Sequence, residues 1–199
     1  MPTYIKIAGV DIDISHLAPS QHTVEVPLRG GAIKKMVVQI AYTNHCYSRT
    51  PRSDINEQIP EGHLIMDGGK QRMFCERRHR LSLNLPRIMD ELIRSEKHVW
   101  SVPGNNFAQV DLVEEEADGT VTKVTYYVLM QIRKVSEPGG PKYMKVRVET
   151  SYPEDAIYDA LVRKKPFNFR KLLACIWEGR DYNAPDAKPK KKPGKKGQK

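Results

Sequence analysis

Two consecutive segments decide the fold: VTKVTYYVLMQIRKV at residues 121–135 and KYMKVRVETSY at residues 142–152. Both are rich in β-branched and aromatic residues, and the second alternates polar with apolar side chains. A period of two is typical of a strand that buries one face. A Pro-Gly-Gly turn at residues 138–140 separates the segments, and strands joined by so short a turn pair antiparallel. The two segments therefore predict a β-hairpin.

The residues upstream extend this hairpin into a meander. Residues 106–113 alternate apolar with polar side chains, and an Asp-Gly turn at residues 118–119 leads into the long strand. A shorter β-rich run lies at residues 98–102. The pattern predicts an antiparallel meander of three or four strands.

Two further segments have the apolar period of an amphipathic helix. In the first, Asn84 is a suitable N-cap and Pro86 fits the first turn. The second runs from about Asn168, and Gly179 is a natural stop. The apolar faces consist of Leu85, Ile88, Met89, Leu92 and Ile93 in the first helix and of Phe169, Leu172, Leu173, Ile176 and Trp177 in the second.

The N-terminal part of the chain contains shorter strand-like runs. Residues 4–7, 10–14 and 22–26 alternate apolar with polar side chains, and residues 36–42 form a β-rich run. Residues 50–70 are polar and rich in turn formers, and a loop of that length in a small domain is usually functional or mobile.

These elements predict an α+β fold: an antiparallel meander sheet with two amphipathic helices and extra N-terminal strands. One core is expected, because the N-terminal strands are too short to be stable alone. Residues 1–182 are therefore predicted to form a single domain, and residues 183–199 a disordered lysine-rich tail.

The basic charge is concentrated in that tail. The formal net charge is +9, but the last thirteen residues hold seven of the 33 lysines and arginines and none of the 24 acids, which leaves +2 for the body. Such a segment buries too little apolar surface to offset the entropy of ordering. It either binds polyanions through counterion release or only keeps the protein in solution. The lysines predicted to contact nucleic acid are Lys188, Lys190, Lys191, Lys192, Lys195 and Lys196.

Composition argues against several classes of protein. No run of 18 apolar residues could span a membrane, and the N-terminus lacks the pattern of a secretory signal. Three scattered cysteines fit reduced thiols, so a cytoplasmic protein with no membrane partner is expected. The chain has no glycine-rich phosphate loop and no Gly-x-Ser-x-Gly motif, and no cofactor is predicted.

His45 is the first candidate for catalysis. It begins the run His-Cys-Tyr-Ser-Arg, residues 45–49, directly after a predicted strand. A strand end can aim side chains into a cleft, and an imidazole titrates near neutrality, so His45 could act as a general acid or base. The alternative is a histidine that packs or forms hydrogen bonds at a strand end.

A basic run precedes the first predicted helix. The sequence RMFCERRHR at residues 72–80 contains Arg77, Arg78 and Arg80. Arginine forks match phosphate oxygens and can stabilise the charge that develops on a phosphorane. The alternative is a solvated basic face partly neutralised by Glu76.

The last meander strand ends in Glu-Thr-Ser-Tyr-Pro at residues 149–153. Hydroxyl-bearing side chains at a strand end, here Thr150 and Tyr152, can position a phosphate or a proton. The alternative is an ordinary strand end that Pro153 terminates.

A zinc site is a weaker alternative. The chain has no Cys-x-x-Cys pair, and neighbouring side chains on a strand point in opposite directions, so His45 and Cys46 fit one tetrahedral ion poorly. No metal site is predicted, although zinc binding remains an open question for the set His45, Cys46, Cys75 and His79.

The order of a helix followed by an antiparallel meander, ending in Thr150-Ser151-Tyr152-Pro153, resembles the barnase/EndoU/colicin/RelE group of ribonuclease folds. The resemblance covers roughly residues 81–153. It implies metal-independent chemistry in which the 2′-hydroxyl of RNA is the nucleophile, and often a toxin of a mobile element. Residues 1–80 have no counterpart in the minimal fold, so the histidine would come from His45 or His79. The chain also resembles uncharacterised bacterial proteins of mobile elements.

The first functional hypothesis is a metal-independent endoribonuclease, toxin-like or active in defence or counter-defence of a mobile element. His45 would be the acid or base, Arg78 (with Arg49 as second choice) would hold the phosphate, and Thr150 and Tyr152 would orient it. RNA is the favoured partner, and a protein partner such as an antitoxin is also expected. Arg77, Arg80 and the tail lysines would contact nucleic acid.

The second hypothesis is a non-catalytic nucleic-acid-binding subunit or regulator of a nucleoprotein complex. It needs only the tail, the arginine run and a stable sheet. Tyr126, Tyr127 and Tyr143 could stack on bases or belong to the core. The first hypothesis requires more, since His45, Arg78 and Tyr152 must fold around one cleft.

Overall fold

A computed structural model describes residues 3–95, 97–102, 105–115, 118–155, 161 and 166–181. The strands are β1 (Tyr4–Ile7), β2 (Val10–Asp13), β3 (Ser20–Pro27), β4 (Ile33–Tyr42), β5 (Ser48–Arg49), β6 (Leu64–Asp67), β7 (Lys70–Phe74), β8 (His98–Val102), β9 (Asn105–Glu115), β10 (Val121–Ser136), β11 (Lys142–Pro153) and β12 (Phe167–Asn168). The α-helices are α1 (Glu76–Ser82), α2 (Leu85–Arg94) and α3 (Phe169–Glu178). The fold class is α+β. The predicted tail lies outside the described residues.

The central sheet has the strand order β12-β8-β9-β10-β11-β4-β3. Strands β8 to β11 pair antiparallel, as the hairpin and turn signals predict, with a register shift between Leu129 and Met130. The predicted antiparallel meander is confirmed, but the sheet that contains it is mixed, because β4 pairs in parallel with β11, from Val38 opposite Met144 to Tyr42 opposite Val148. A hydrophobic period of two indicates which face of a strand is buried, but it does not indicate whether the neighbouring strand runs parallel or antiparallel.

The polar stretch of residues 50–70 is more ordered than expected. It contains a 3₁₀ turn at Ser53–Ile55 and strand β6, which pairs with β7 in a three-stranded sheet of order β5-β7-β6. This small sheet is joined to the turn after β4, since the Cys75 amide donates to the Tyr47 carbonyl. It therefore places the β6–β7 hairpin beside His45.

The described residues contain three α-helices, one more than predicted. The basic run forms α1, and Asn84 follows it in helical conformation, donating its side-chain amide to the Leu81 carbonyl. Asn84 therefore continues a helical path and caps nothing with its side chain. In α3 the Asn168 side chain accepts from the Lys171 amide, and Gly179, at φ 65°, ends the helix as predicted.

The apolar side chains form one hydrophobic cluster whose members extend from Ile7 to Ala174. Tyr126 and Tyr127 are 0% and 2% exposed, so the suggestion that they stack on bases is wrong and the core alternative is right for both. Tyr143 is half-buried, and its hydroxyl donates to Glu137. Each helix in the described ranges is too short or too polar to cross a membrane.

Candidate functional site

Arg78 joins the three segments that the sequence marked as candidates. Its side chain on α1 is buried, and Nη1 donates to the carbonyls of His45 (3.0 Å) and Ser48 (2.8 Å). The same nitrogen lies 3.4 Å from Thr150 Oγ1, and the guanidinium lies over the Tyr152 ring, 5.5 Å from its centroid. Four of the five predicted catalytic residues therefore meet around one guanidinium.

A short turn positions His45. β4 ends at Tyr42, and Thr43 caps a 3₁₀ turn at Asn44–Cys46 by accepting from the His45 amide. Thr43 Oγ1 also donates to the Glu149 carbonyl at 2.6 Å, which ties the turn to β11. The parallel pairing of β4 with β11 thus brings the two candidate strand ends side by side.

The His45 imidazole is directed toward Asp67 at the end of β6. Nε2 lies 2.7 Å from Asp67 Oδ2, and the two side chains are 31% and 39% exposed. The hydrogen bond with His45 lowers the pKa of Asp67 below its ordinary value. A carboxylate so placed orients an imidazole. The pair lies at a partly open surface.

Sequence reasoning missed Asp67. Its position in Met-Asp-Gly-Gly reads as a turn, and Gly68 and Gly69 do form the β6–β7 turn with positive φ. The pairing with His45 arises only because β5 and β7 bring this hairpin next to the turn after β4.

Arg72 on β7 was also missed. Its side chain is buried, with Nε donating to Ser48 Oγ at 2.8 Å and Nη2 to the Ser48 carbonyl at 2.9 Å. The Ser48 carbonyl therefore accepts from both Arg72 and Arg78. A buried arginine on a short strand leaves no distinctive sequence signal, apart from its place in the basic run.

Arg49, the second choice for holding phosphate, forms a bidentate ion pair with Glu57, at 2.5 Å for each nitrogen. Arg49 and Glu57 are 15% and 21% exposed. The hydrogen bond from Arg49 lowers the pKa of Glu57 to about 2. A phosphate at Arg49 would have to compete with this carboxylate.

Arg77 and Arg80 both donate to Glu114, whose side chain is 1% exposed. Arg77 also contacts Asp155 at 3.1 Å. Burial raises the pKa of Glu114, but the hydrogen bonds from Arg77 and Arg80 outweigh it, so the net change lowers the pKa. Glu114 is therefore a buried carboxylate near the end of β9, neutralised by two arginines of α1. Any nucleic-acid contact by these arginines would involve guanidiniums already paired.

Cys46 belongs to a buried polar cluster. Burial raises the pKa of its thiol to about 12, and the side chain forms a hydrogen bond with Ser151, which also accepts from the Tyr126 hydroxyl. His79 donates from Nε2 to the Asp13 carbonyl. Within the described ranges, no three His, Cys, Asp or Glu side chains are grouped closely enough to hold a metal ion.

The comparisons with known proteins give one match. The family model described as the YjaZ family matches residues 4–177, which covers all but a few of the described residues. No curated protein and no solved structure matches the chain.

Proposed function

We propose that this chain, which belongs to the YjaZ family, binds nucleic acid and cleaves RNA without a metal ion. The observation that supports this proposal is the pairing of the partly exposed His45 imidazole with Asp67, beside the segment ends that carry Thr150 and Tyr152. The metal-independent chemistry comes from the resemblance of residues 81–153 to the ribonuclease group.

In the proposed reaction the 2′-hydroxyl of RNA attacks the neighbouring phosphorus. The hydroxyl loses its proton to a base, the bond from phosphorus to the 5′-oxygen breaks, and that oxygen gains a proton. The products are a 2′,3′-cyclic phosphate and a 5′-hydroxyl. His45 supplies the acid or base, and Asp67 holds the imidazole in position.

The proposal assigns Arg78 to positioning. Its donor Nη1 contacts the His45 and Ser48 carbonyls, so it holds the turn that carries the imidazole. Thr150 and Tyr152 then line the place where the phosphate binds, and Arg49 contacts the phosphate only when it leaves Glu57.

The test is cleavage of RNA in excess EDTA, with mass spectrometry of the new ends. His45→Gln should lower kcat by about 10²-fold or more, because acid–base catalysis contributes that much. His98→Gln is the matched control, since His98 is an exposed histidine on β8. Asp67→Asn should reduce the rate less than His45→Gln. Equal rates for His45→Gln and the wild type would remove His45 from the mechanism.

The second candidate is a non-catalytic nucleic-acid-binding subunit or regulator. The burial of Arg78 and the ion pairs of Arg77 and Arg80 with Glu114 favour it, because they leave the lysine tail as the main source of affinity. Under this function, RNA and DNA of one sequence should bind alike and neither should be cleaved. Deleting the tail should weaken binding to both.

The proposed function also implies a cellular location and a protein partner. We propose a cytoplasmic location, because Cys46, Cys75 and Cys175 are free thiols. A toxin-like nuclease would also require a protein inhibitor of the antitoxin type in the same cell.

A further inference from the structure

A recess lined by basic side chains lies beside β3, the edge strand of the central sheet. It consists of two adjoining pockets of about 410 and 430 Å³, and Arg170 lines both. The basic recess is bounded by β3 and the turn after it on one side, and by the end of α2 and the start of α3 on the other. It contains none of the residues of the His45 site.

The first pocket combines a cationic rim with an apolar floor. Its size is that of a site for one small ligand group. The floor consists of Pro27, Leu28 and Ala174, and the cations are Arg29, Arg170, Lys171 and Arg180. Such a pocket suits a ligand with a negative charge at one end and an apolar body at the other.

The arginines of the first pocket differ in whether a carboxylate neutralises their charge. Arg170 donates from Nε and Nη2 to the carbonyls of Ile93 and Arg94 at the end of α2, at 3.2 and 2.5 Å. In the described part of the chain no carboxylate forms an ion pair with Arg170 or Arg29. Arg180 does pair with Glu178, whose other oxygen accepts from the Arg29 amide. Two guanidinium charges therefore remain without a carboxylate partner among the described residues.

The second pocket is more polar and extends the recess along β3. Arg94 lines it with Gln21 and Thr23. Glu25 also lines it and lies 3.7 Å from Lys35, while Arg94 is paired with Asp90 at 2.6 Å. Arg170 adds its charge to both pockets.

We infer that the basic recess binds the phosphate backbone of single-stranded RNA, with a ribose against the apolar floor of the first pocket. This inference rests on the proposed nucleic-acid function and assigns it a second surface, separate from His45. Pockets of this size accept single phosphates and sugars, and a flexible single strand can turn these inward.

The test uses the full chain and a fluorescent 2′-O-methyl RNA oligonucleotide, which lacks the internal nucleophile. Binding is measured by anisotropy over a range of salt concentrations. The variant is Arg29→Gln/Lys171→Gln, since both side chains are exposed. The control is Lys6→Gln/Lys123→Gln, which removes the same charge from two exposed lysines on β1 and β10. Melting temperatures verify folding.

Removing one cation from a phosphate should reduce the salt slope by about 0.7, so the double variant should reduce it by about 1.4 and bind several-fold more weakly. The control should keep the wild-type slope. Equal salt slopes for the variant and the control would contradict RNA binding in the recess but would leave the nuclease proposal intact. If the wild type binds no RNA, the proposed function and this inference both fail. Single-stranded DNA of the same sequence should show the same weakening, because the recess reads phosphate and sugar.

Discussion

At the scale of the residue, Arg78 shows that an arginine of the basic run at residues 72–80 can be buried in the protein interior. Leu81 and Ser82 are buried on the same helix, three and four positions after Arg78. Once residues 76–82 are recognised as a helix, this spacing places Arg78 on the inner face and turns Arg77 and Arg80 toward Glu114. A buried guanidinium is tolerated only when it is hydrogen-bonded, and here backbone carbonyls accept from it.

We predict that Arg78→Met lowers the free energy of unfolding by roughly 1–3 kcal/mol, because the His45 carbonyl loses its Arg78 donor, whereas the Ser48 carbonyl keeps Arg72. Arg133→Met is the control, because Arg133 is exposed on β10 and should change stability by less than about 0.5 kcal/mol. Urea denaturation at neutral pH measures both. If Arg78→Met is as stable as Arg133→Met yet loses affinity for RNA, Arg78 contacts phosphate instead of holding the His45 turn.

Sequence reasoning at this scale succeeded in part. His45, Arg78, Thr150 and Tyr152 do come together, but through a backbone carbonyl of His45 and not through its ring. The partner of the ring, Asp67, could not be predicted, because their contact depends on how a small sheet packs against the end of β4. Local patterns carry no information about that packing.

At the scale of the element, periodicity was a sound guide to strands and helices. The apolar face predicted for α2 is the buried face, and Gly179 ends α3. The prediction failed where an element is short or its partner is distant. α1 was not predicted, because seven residues give little periodicity, and the parallel pairing of β4 with β11 was not expected.

The docking of the N-terminal hairpin onto α1 depends on two histidines. The Ser82 hydroxyl donates its one hydrogen to the His79 carbonyl. His16 Nε2 lies 2.8 Å from Ser82 Oγ, so the imidazole must be the donor in the hydrogen bond between them. The His16 and His79 rings are 5.5 Å apart. Burial, followed by the proximity of His79, lowers the pKa of His16, while Asp13 opposes the change.

This arrangement predicts a loss of stability in mild acid. Because the pKa of His16 is lower in the folded chain than its ordinary value of 6.5, the unfolded chain takes up the proton more readily. The free energy of unfolding should therefore fall as the pH drops below about 6.5. His16→Gln should flatten this dependence, whereas His98→Gln should not. Urea midpoints at pH 7.5 and 5.5 measure it, and identical pH profiles for His16→Gln and the wild type would contradict it.

At the scale of the whole molecule, ion pairs join segments that are distant in the chain. Arg77 links α1 to β9 through Glu114 and to the residues after β11 through Asp155. His45 and Asp67 connect the central sheet to the small one. Protonation of the carboxylates would weaken each of these contacts.

A second loss of stability is predicted in stronger acid. The pKa of Glu57 is lowered from 4.5 to about 2, so its contribution is present above about pH 4.5 and is lost as the pH falls through about 2. Glu57→Gln should weaken the protein at pH 6 and show a shallower decline between pH 4.5 and 2 than the wild type. Glu61→Gln, an exposed change nearby in the chain, is the control. Circular dichroism measures the decline in stability with falling pH. If Glu57→Gln and the wild type decline in parallel, the Glu57 ion pair contributes nothing to stability.

The parallel contact between β4 and β11 also limits how the chain can be shortened. β4 ends at Tyr42 and β11 begins at Lys142, so the two neighbours belong to opposite halves of the polypeptide. A minimal fragment built around residues 81–153, the span that resembles a small ribonuclease, would lose β4 and expose the backbone donors and acceptors of β11. Unpaired strand edges form hydrogen bonds with strands of other molecules, so such a fragment should precipitate or self-associate. β4 thus covers the edge of β11, and the turn that follows β4 carries His45.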